Sequence, residues 1–151
     1  MAKTLIRHAV STDFDTLLDI DQASFPGGVA YDAAELSYFM NLNGAETIVL
    51  EEDGKIVAFL VLEVHRTRRS GTIVTLDVVE AHRRKGYGAQ LLQRAEDILI
   101  DLGAEAYDLQ VDVTNHSAIA FYKKQGFRTM RTLRRYYANG NDAYFMVKEF
   151  S

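Results

Sequence analysis

The residues from 83 to 88 place three cations and two glycines at the expected start of a helix. The segment reads Arg83-Arg84-Lys85-Gly86-Tyr87-Gly88 and follows an apolar, β-prone run from Thr72 to Val79. Free N–H groups at a helix N-terminus carry about half a positive charge, and glycine lets the backbone approach a ligand closely. Phosphate or pyrophosphate therefore suits this turn, and a plain basic surface turn is the alternative that these residues alone leave open.

The turn departs from two common phosphate-binding patterns. A Walker loop requires Gly-x-x-x-x-Gly-Lys-Ser/Thr, and the chain contains no such run. A dinucleotide-binding turn has a third glycine three positions after the second, where this chain has Leu91. The phosphate ligand therefore belongs to another class.

A second block of residues, Asn115 to Phe127, decides between a phosphate-binding turn and a plain basic surface turn. Together with the glycine turn it resembles the GNAT superfamily of N-acetyltransferases. The turn matches the family's acetyl-CoA pattern Gln/Arg-x-x-Gly-x-Gly/Ala, and the second block matches Asn-x-x-Ala-x-x-Phe/Leu-Tyr-x-x-x-Gly-Phe. The resemblance covers essentially the whole chain, 1–151, as one domain. It implies an enzyme with acetyl-CoA as cofactor, which transfers acetyl to a primary amine.

The resemblance also implies roles for individual residues. Backbone groups of Leu76 and Val78 would pair with the pantetheine amides, and the turn would surround the pyrophosphate. Tyr122 would protonate the departing CoA thiolate, and its alternative is a packed core tyrosine. Asn115 would cap a helix or reach the cofactor. The expected cofactor-binding residues are Leu76, Asp77, Val78, Arg83, Arg84, Lys85, Gly86, Tyr87, Gly88, Ala89, Asn115 and Tyr122.

The base that would accept the proton of the amine is not identified by the resemblance. The tail from Arg134 to Met146 resembles the ribosomal-protein alanine acetyltransferase branch, which places a glutamate where this chain has Gln110. A glutamine amide is no base at neutral pH, so Gln110 would only orient a water or the substrate. Asp77 or Asp112 is the first candidate, acting through a water. Other open choices are a base-free mechanism or a base supplied by Glu63, His65 or Glu80.

The acceptor site is expected between the first two helices and the last hairpin of the chain. The paired tyrosines line the peptide groove in the resembling branch. The expected aromatic rim consists of Phe25, Tyr31, Tyr136, Tyr137 and Tyr144. Three acids, Asp21, Asp32 and Glu35, would attract a cationic amine or would be ordinary solvated helix residues.

The predicted function is acetyl transfer from acetyl-CoA to the N-terminal α-amino group of a protein or peptide, by direct attack in a ternary complex. Two alternatives stay open. One is an acetyltransferase of a small amine. The other is an acetyl-CoA-binding module with little turnover, which the glutamine at position 110 would explain.

Apolar periodicity predicts an α/β chain of the α+β type. The expected fold is a single mixed, mostly antiparallel twisted sheet of about seven strands with about four helices on both faces. Asp53-Gly54 predicts a hairpin turn, Thr12 or Asp13 would cap the first helix, and Asp32 with Glu35 forms a capping box. The first helix is expected to end at Phe25-Pro26-Gly27-Gly28. The expected strands are 4–9, 47–50, 55–65, 72–79, 106–113, 127–135 and 143–148.

Composition limits the partners and the surroundings. The net charge of −4 argues against nucleic acid as the main partner. With no cysteine, disulfides and Cys-based zinc sites are excluded, and no metal is expected. No signal segment or membrane-length apolar run occurs, so we expect a cytoplasmic protein with no membrane partner. We expect a monomer or homodimer, the latter paired through the strand from Tyr144 to Phe150.

Overall fold

The computed structural model describes residues 2–25 and 29–150, and this part of the chain forms one seven-stranded sheet with four α-helices. The strand order is β1-β2-β3-β4-β5-β7-β6. The strands are β1 (Thr4–His8), β2 (Ala45–Glu52), β3 (Lys55–His65), β4 (Ser70–Val78), β5 (Ala106–Asp112), β6 (Arg128–Leu133) and β7 (Ala143–Glu149). The helices are α1 (Phe14–Ser24), α2 (Ala33–Met40), α3 (Tyr87–Asp101) and α4 (His116–Lys124).

The sheet is mixed because only β4 and β5 pair in parallel, while the other neighbours pair antiparallel. Helices α3 and α4 cover one face around a core that includes Leu91, Leu99 and Ile119. Helices α1 and α2 cover the other face, with Leu17 and Leu36 against the sheet. The predicted fold class is therefore confirmed. Strand β7 lies between β5 and β6, so the expectation that it offers a free edge to a second copy is wrong.

Local signals in the sequence set most element boundaries. Asp53 and Gly54 have φ values of +52° and +82°, as expected for a tight hairpin turn. The Asp32 carboxylate accepts the N–H of Glu35 at 2.8 Å, and the Glu35 carboxylate accepts the N–H of Asp32 at 3.1 Å, which confirms the capping box. Helix α1 ends at Ser24 with Phe25 as its C-cap, as expected, and residues 26–28 of the segment predicted to end it lie outside the described residues.

The cap predicted for α1 is wrong in its contacts. A short 3-10 turn, Ser11–Asp13, precedes the helix, and Asp13 stands at the N-cap position without a capping bond from its side chain. The Asp13 carboxylate instead accepts the N–H of Val10 at 2.8 Å and pairs with Arg7 at 2.8 Å. A cation on β1 thus outcompetes the helix for this carboxylate.

The feature that creates the site is the separation of β4 from β5. These two strands pair only from Ser70–Ile73 to Ala106–Leu109. At the same point the register with β3 shifts, so that Val74 is an extra residue in β4. A bulge bends its strand and redirects the side chains that follow. Beyond Val74, β4 diverges from β5 and leaves an open cleft.

The bulge also decides which helices the end of β4 faces. Ile73 packs into the core under α3 and α4, whereas Val74 packs into the core under α1 and α2. Regular alternation would turn Thr75 back toward α3. Because Val74 is the extra residue, Thr75 faces α1 instead, where its hydroxyl lies 3.3 Å from the Asp21 carboxylate. Asp77, two residues on, faces the same side.

Candidate active site

A cavity of about 820 Å³ fills the cleft between β4 and β5. It runs from the glycine turn, past α4, to the segment after α1 and the β6–β7 connection. Eleven of the twelve expected cofactor residues line it, and so do both candidate bases and four of the five expected rim residues. Tyr144 does not line it, because it lies on β7, on the far side of β5 from the cleft. The lining residues that the sequence predicted are Phe25, Tyr31, Leu76, Asp77, Val78, Arg83, Arg84, Gly86, Tyr87, Gly88, Ala89, Gln110, Asp112, Asn115, Tyr122, Tyr136 and Tyr137.

The glycine turn presents backbone N–H groups at the start of α3. Arg84 and Gly86 have φ values of +66° and +80°, and Gly86 is the N-cap residue. The first helical bond runs from the N–H of Gln90 to the carbonyl of Gly86 at 3.1 Å. The N–H groups of Tyr87, Gly88 and Ala89 therefore precede the helical ladder, as an anion site requires.

The end of β4 keeps unused backbone groups on the cleft side. The N–H of Val79 donates to the Val57 carbonyl of β3 at 2.9 Å. Successive residues of a strand point their N–H groups to opposite sides, so the N–H groups of Leu76 and Val78 point away from β3. Arg83 Nε donates to the Val78 carbonyl at 3.0 Å. An extended chain with amides, such as pantetheine, fits this edge.

Lys85 and Tyr87 tie the turn to β2. Lys85 lies outside the cavity, with Nζ 3.1 Å from the Glu52 carboxylate and 3.4 Å from the His82 ring. The buried Tyr87 hydroxyl also donates to Glu52. Hydrogen bonds from Tyr87 and Lys85 lower the pKa of Glu52, so this carboxylate stays charged. Sequence reasoning missed Glu52 because no local pattern links it to residues 33 and 35 positions away.

Gly88 and Asn115 are explained by packing and capping. A Cβ at Gly88 would meet Cζ of Phe121 at 3.2 Å, so the glycine lets α3 approach α4 closely. The Asn115 side chain accepts the N–H of Ala118 at 3.2 Å, which confirms the predicted helix cap. Asn115 also lines the cavity.

Tyr122 is held on α4 between two aromatic rings. Its ring makes edge contacts with Phe121 and Phe127, at centroid distances of 5.4 and 5.6 Å. Burial raises its pKa above the ordinary tyrosine value, and the nearby Asp77 carboxyl raises it further. The phenol is therefore neutral at physiological pH and holds a proton that it can donate.

Asp77 and Asp112 differ sharply in their surroundings. The Asp77 side chain is buried, and its Oδ1 lies within hydrogen-bond distance, 2.6 Å, of the Thr75 hydroxyl. Burial raises its pKa well above the ordinary value, and Asp21 raises it further. Burial alone would also raise the pKa of Asp112, but hydrogen bonds from Asn141 and Thr114 outweigh it and lower that pKa.

Asp112 is occupied with holding two connections together. Its Oδ1 accepts the N–H and the hydroxyl of Thr114 at 2.9 and 2.8 Å, and its Oδ2 accepts Nδ2 of Asn141 at 3.0 Å. It thus joins the β5–α4 turn to the β6–β7 connection. These contacts favour Asp77 over Asp112 as the proton acceptor.

We expect Asp112→Asn to lower the free energy of unfolding by about 1–3 kcal/mol at neutral pH, because it disturbs buried hydrogen bonds. The pKa of Asp112 is lower in the folded state. Its contribution is therefore present above the ordinary value of 3.8 and lost as the pH falls through the folded-state pKa. Denaturant unfolding of the wild type and the variant at neutral and acid pH measures this loss of stability. We expect the kcat of the variant to change by less than about threefold. A hundredfold loss of kcat at unchanged stability would instead make Asp112 the base.

The expected acceptor residues meet at one end of the cavity. The N–H of Tyr31 donates to Asp21 at 2.9 Å, and the Tyr31 hydroxyl donates to the Val74 carbonyl at 3.4 Å. Tyr136 and Tyr137 stack edge-on at 5.0 Å. Phe25 lines the same end of the cavity.

The other acids and His65 lie away from this end. Asp32 and Glu35 are exposed and bond to each other's backbone in the capping box. His65 lies 2.9 Å from the Thr72 hydroxyl and 3.9 Å from Glu63. None of the residues Asp32, Glu35, Glu63, His65 and Glu80 lines the cavity. Of the three acids expected to attract the amine, only Asp21 lines the cavity, and its side chain is fully buried.

Comparisons with known proteins agree with this geometry. The profile of the Acetyltransferase (GNAT) family matches residues 14–127. An N-alpha-acetyltransferase of Sulfurisphaera tokodaii is 33% identical, over 94% of this chain and 90% of its own. The fold matches Ard1 from Thermoplasma volcanium with a TM-score of 0.89 at 26% identity, covering 98% of both chains. It also matches the ribosomal-protein-S18-alanine N-acetyltransferase of Escherichia coli, with a TM-score of 0.86 at 25% identity over 99% of this chain and 95% of the other.

The chain therefore belongs to the GNAT family of acetyltransferases, and its acetyl donor is acetyl-CoA. The residues present fit that donor, since the cleft offers the N–H groups of β4 for amides and those of α3 for phosphates. Within residues 2–25 and 29–150, no helix is long and apolar enough to cross a membrane.

Proposed function

We propose that this enzyme acetylates the N-terminal α-amino group of a peptide or protein. One observation carries the proposal: a single cavity joins the glycine turn to the rim of Tyr31, Tyr136 and Tyr137, with Tyr122 and Asp77 between them. The tyrosine rim offers hydroxyl groups and flat rings to an extended backbone. The relative from Sulfurisphaera tokodaii, named N-alpha-acetyltransferase, supports the same acceptor.

The residues of the chain divide the chemical work. Acetyl-CoA supplies a thioester whose carbonyl carbon is attacked by the neutral amine. The N–H of Val78 points into the cleft and is placed to donate to the oxygen that gains charge during attack. The neutral phenol of Tyr122 donates a proton to the leaving sulfur. Alignment of both substrates in one cleft supplies a large part of the rate.

Asp77 is the group that we assign as proton acceptor for the amine. Its Oδ2 is buried and has no hydrogen-bond partner among the described residues, whereas both oxygens of Asp112 are occupied. Gln110 lines the same cavity from β5. Its amide orients the acceptor or a water, because it cannot take up a proton at neutral pH.

A cytoplasmic location and a monomeric or homodimeric state stay predictions from the sequence.

Release of free CoA thiol from acetyl-CoA tests this function. The assay compares short peptides that differ in their first residues with a panel of small amines. Turnover of peptides, selective for the first residues, is expected. Turnover of small amines alone would make the chain a small-molecule acetyltransferase, and binding of acetyl-CoA without turnover of any amine would make it a binding module.

We expect Gln110→Glu to change kcat on peptides by less than about threefold, far below the roughly 10²–10⁴-fold that a general base contributes. The reason is that Asp77 already accepts the proton. Steady-state kinetics on the best peptide measure this effect, with Gln93→Glu on the exposed face of α3 as the control for an added charge. A tenfold or larger gain would show that the enzyme lacks a working base.

A further inference from the structure

Two buried carboxyl groups lie on either side of one hydroxyl at the floor of the acceptor end of the cavity. The Thr75 hydroxyl is 2.6 Å from Oδ1 of Asp77 and 3.3 Å from Oδ1 of Asp21. Asp21 and Asp77 expose 0% and 1% of their surface. Oδ2 of Asp21 accepts the N–H of Tyr31 at 2.9 Å. The three side chains thus form one hydrogen-bonded cluster in the lining of the cavity.

The number of available protons limits the hydrogen bonds that Asp77, Thr75 and Asp21 can form. The Thr75 hydroxyl has a single hydrogen, so it can donate to only one of the two carboxyls. The other contact requires a carboxyl that carries its own proton. Two adjacent buried carboxylates rarely ionise together, and one of them keeps a proton. Oδ2 of Asp21 accepts the N–H of Tyr31, whereas Oδ2 of Asp77 has no donor among the described residues, so these contacts place the shared proton on Asp77. Asp77 is then neutral, and it donates to Thr75 while Thr75 donates to Asp21.

Further titratable and charged groups face the pair. Asp21 approaches from α1 and Arg83 from the glycine turn, and Tyr122 approaches from α4. Tyr31, which also senses Asp21, has its pKa raised mainly by burial. Both tyrosines are therefore neutral, and Arg83 is the cation that faces Asp77. The pair then carries a single negative charge.

We propose that Asp77, Thr75 and Asp21 form a relay that takes the proton of the acceptor ammonium and stores it on Asp21. The inference rests on the proposed function and adds two positioning residues to it. Asp77 is the member that receives the proton, because its buried Oδ2 has no hydrogen-bond partner among the described residues. Thr75 and Asp21 act through Asp77.

The transfer balances without any other reactant. An N–H bond of the ammonium breaks and an O–H bond forms at Oδ2 of Asp77. The proton on Oδ1 of Asp77 passes to the Thr75 oxygen, and the Thr75 proton passes to Oδ1 of Asp21. The amine becomes neutral, Asp77 stays neutral, and Asp21 becomes the acid. The reverse sequence returns the proton to water after the product leaves.

The pH profile of Thr75→Val tests the relay. This change keeps the shape of the side chain and removes the only hydrogen that links the carboxyls. At about pH 7 most α-amines are protonated, since their pKa is about 7.7–8.0. We expect kcat/KM for a peptide to fall about hundredfold there, at the lower end of the range for a lost general base. At about pH 9 the amine is already neutral, so the loss should shrink to about threefold.

Two further variants make the result specific. Thr75→Ser keeps the hydroxyl and should keep the activity at both pH values. Thr72→Val removes another threonine of β4 that bonds a carboxylate, Asp108 at 2.7 Å, outside the cavity, and should not change the pH profile. An equal loss for Thr75→Val at both pH values would assign the hydroxyl a structural role and overturn the relay, as would no loss at all.

A second measurement is independent of activity. Carbon-13 NMR of the aspartate carboxyl groups, with Asp77→Asn and Asp21→Asn for assignment, reports each protonation state in the enzyme alone. We expect a neutral Asp77 beside a charged Asp21 at neutral pH, and an altered titration of both in Thr75→Val. Two ionised carboxyls at neutral pH would overturn the relay. If the wild-type enzyme acetylates no amine, the proposed function fails, and this titration still decides the relay.

Discussion

Tyr122→Phe should lower kcat by about 10²-fold or more, within the range of 10²–10⁴ that a positioned proton donor contributes. The change removes one oxygen and leaves the ring in its contacts with Phe121 and Phe127. Burial keeps the phenol neutral, so the wild-type enzyme always has this proton available. Acetyl-CoA affinity should stay within about twofold, which calorimetry on the enzyme alone measures.

Tyr107→Phe is the matched control for that result. Tyr107 is also buried, it contacts the same Phe127 at 4.9 Å, and it lies outside the cavity. Losing its hydroxyl affects packing and hydrogen bonding in the same core without reaching the reacting atoms. We expect an altered unfolding midpoint at nearly unchanged kcat. Full activity of Tyr122→Phe would remove Tyr122 from the role of acid.

Gly86→Val should weaken acetyl-CoA binding about hundredfold, which corresponds to about 2.7 kcal/mol. Gly86 has φ +80°, and a β-branched residue is strained in that region. A valine either distorts the turn or places methyl groups where the phosphates must approach the N–H groups of residues 87–89. A binding titration of acetyl-CoA measures the effect.

Gly103→Val separates strain from loss of the binding turn. Gly103 has φ +82° just past the other end of α3, and a Cβ there meets no atom within 4 Å, as at Gly86. The two variants therefore carry a similar backbone penalty at opposite ends of one helix. We expect both variants to lose a similar amount of unfolding free energy. Only Gly86→Val should bind acetyl-CoA more weakly. Unchanged acetyl-CoA affinity in Gly86→Val would contradict the phosphate role of the turn.

The glycine turn, the α4 cap and the order of elements could be predicted because each depends on residues close together in sequence. Asp53-Gly54 and the pair Asp32 and Glu35 act within four residues. Hydrophobic periodicity similarly located α3. Predictions of this kind depend on local backbone chemistry, and they differ from the structure mainly at the ends of the elements. Strand β6, for example, ends at Leu133, and Arg135 has φ +51°.

The arrangement of the acids could not be predicted in the same way. Thr75 meets Asp21 across 54 residues, and it does so only because the bulge at Val74 turns this end of β4 toward α1. If β4 continued in regular alternation through Val74, Asp77 would face α3. The choice between Asp77 and Asp112 likewise depends on Asn141, which lies 29 residues from Asp112. Such contacts are set by register and tertiary packing, which spacing alone does not encode.

The bulge therefore links the fold to the proposed chemistry. It marks the point where β4 leaves β5, and it is also the reason that Thr75 and Asp77 lie on the side of β4 that faces α1. Bulges recur next to active sites because they redirect side chains at small cost to the sheet. In this enzyme the same irregularity opens the cleft for acetyl-CoA and aims Asp77 into it.

The most direct test of the account is to locate the acetyl group on a peptide that contains one free α-amine and one internal lysine. The peptide is incubated with enzyme and acetyl-CoA, and fragmentation mass spectrometry assigns the modified nitrogen. A matched peptide with a blocked N-terminus serves as control. The account predicts acetylation of the α-amine in the first peptide and none in the second. Equal acetylation of the lysine in both peptides, with the α-amine untouched, would contradict it.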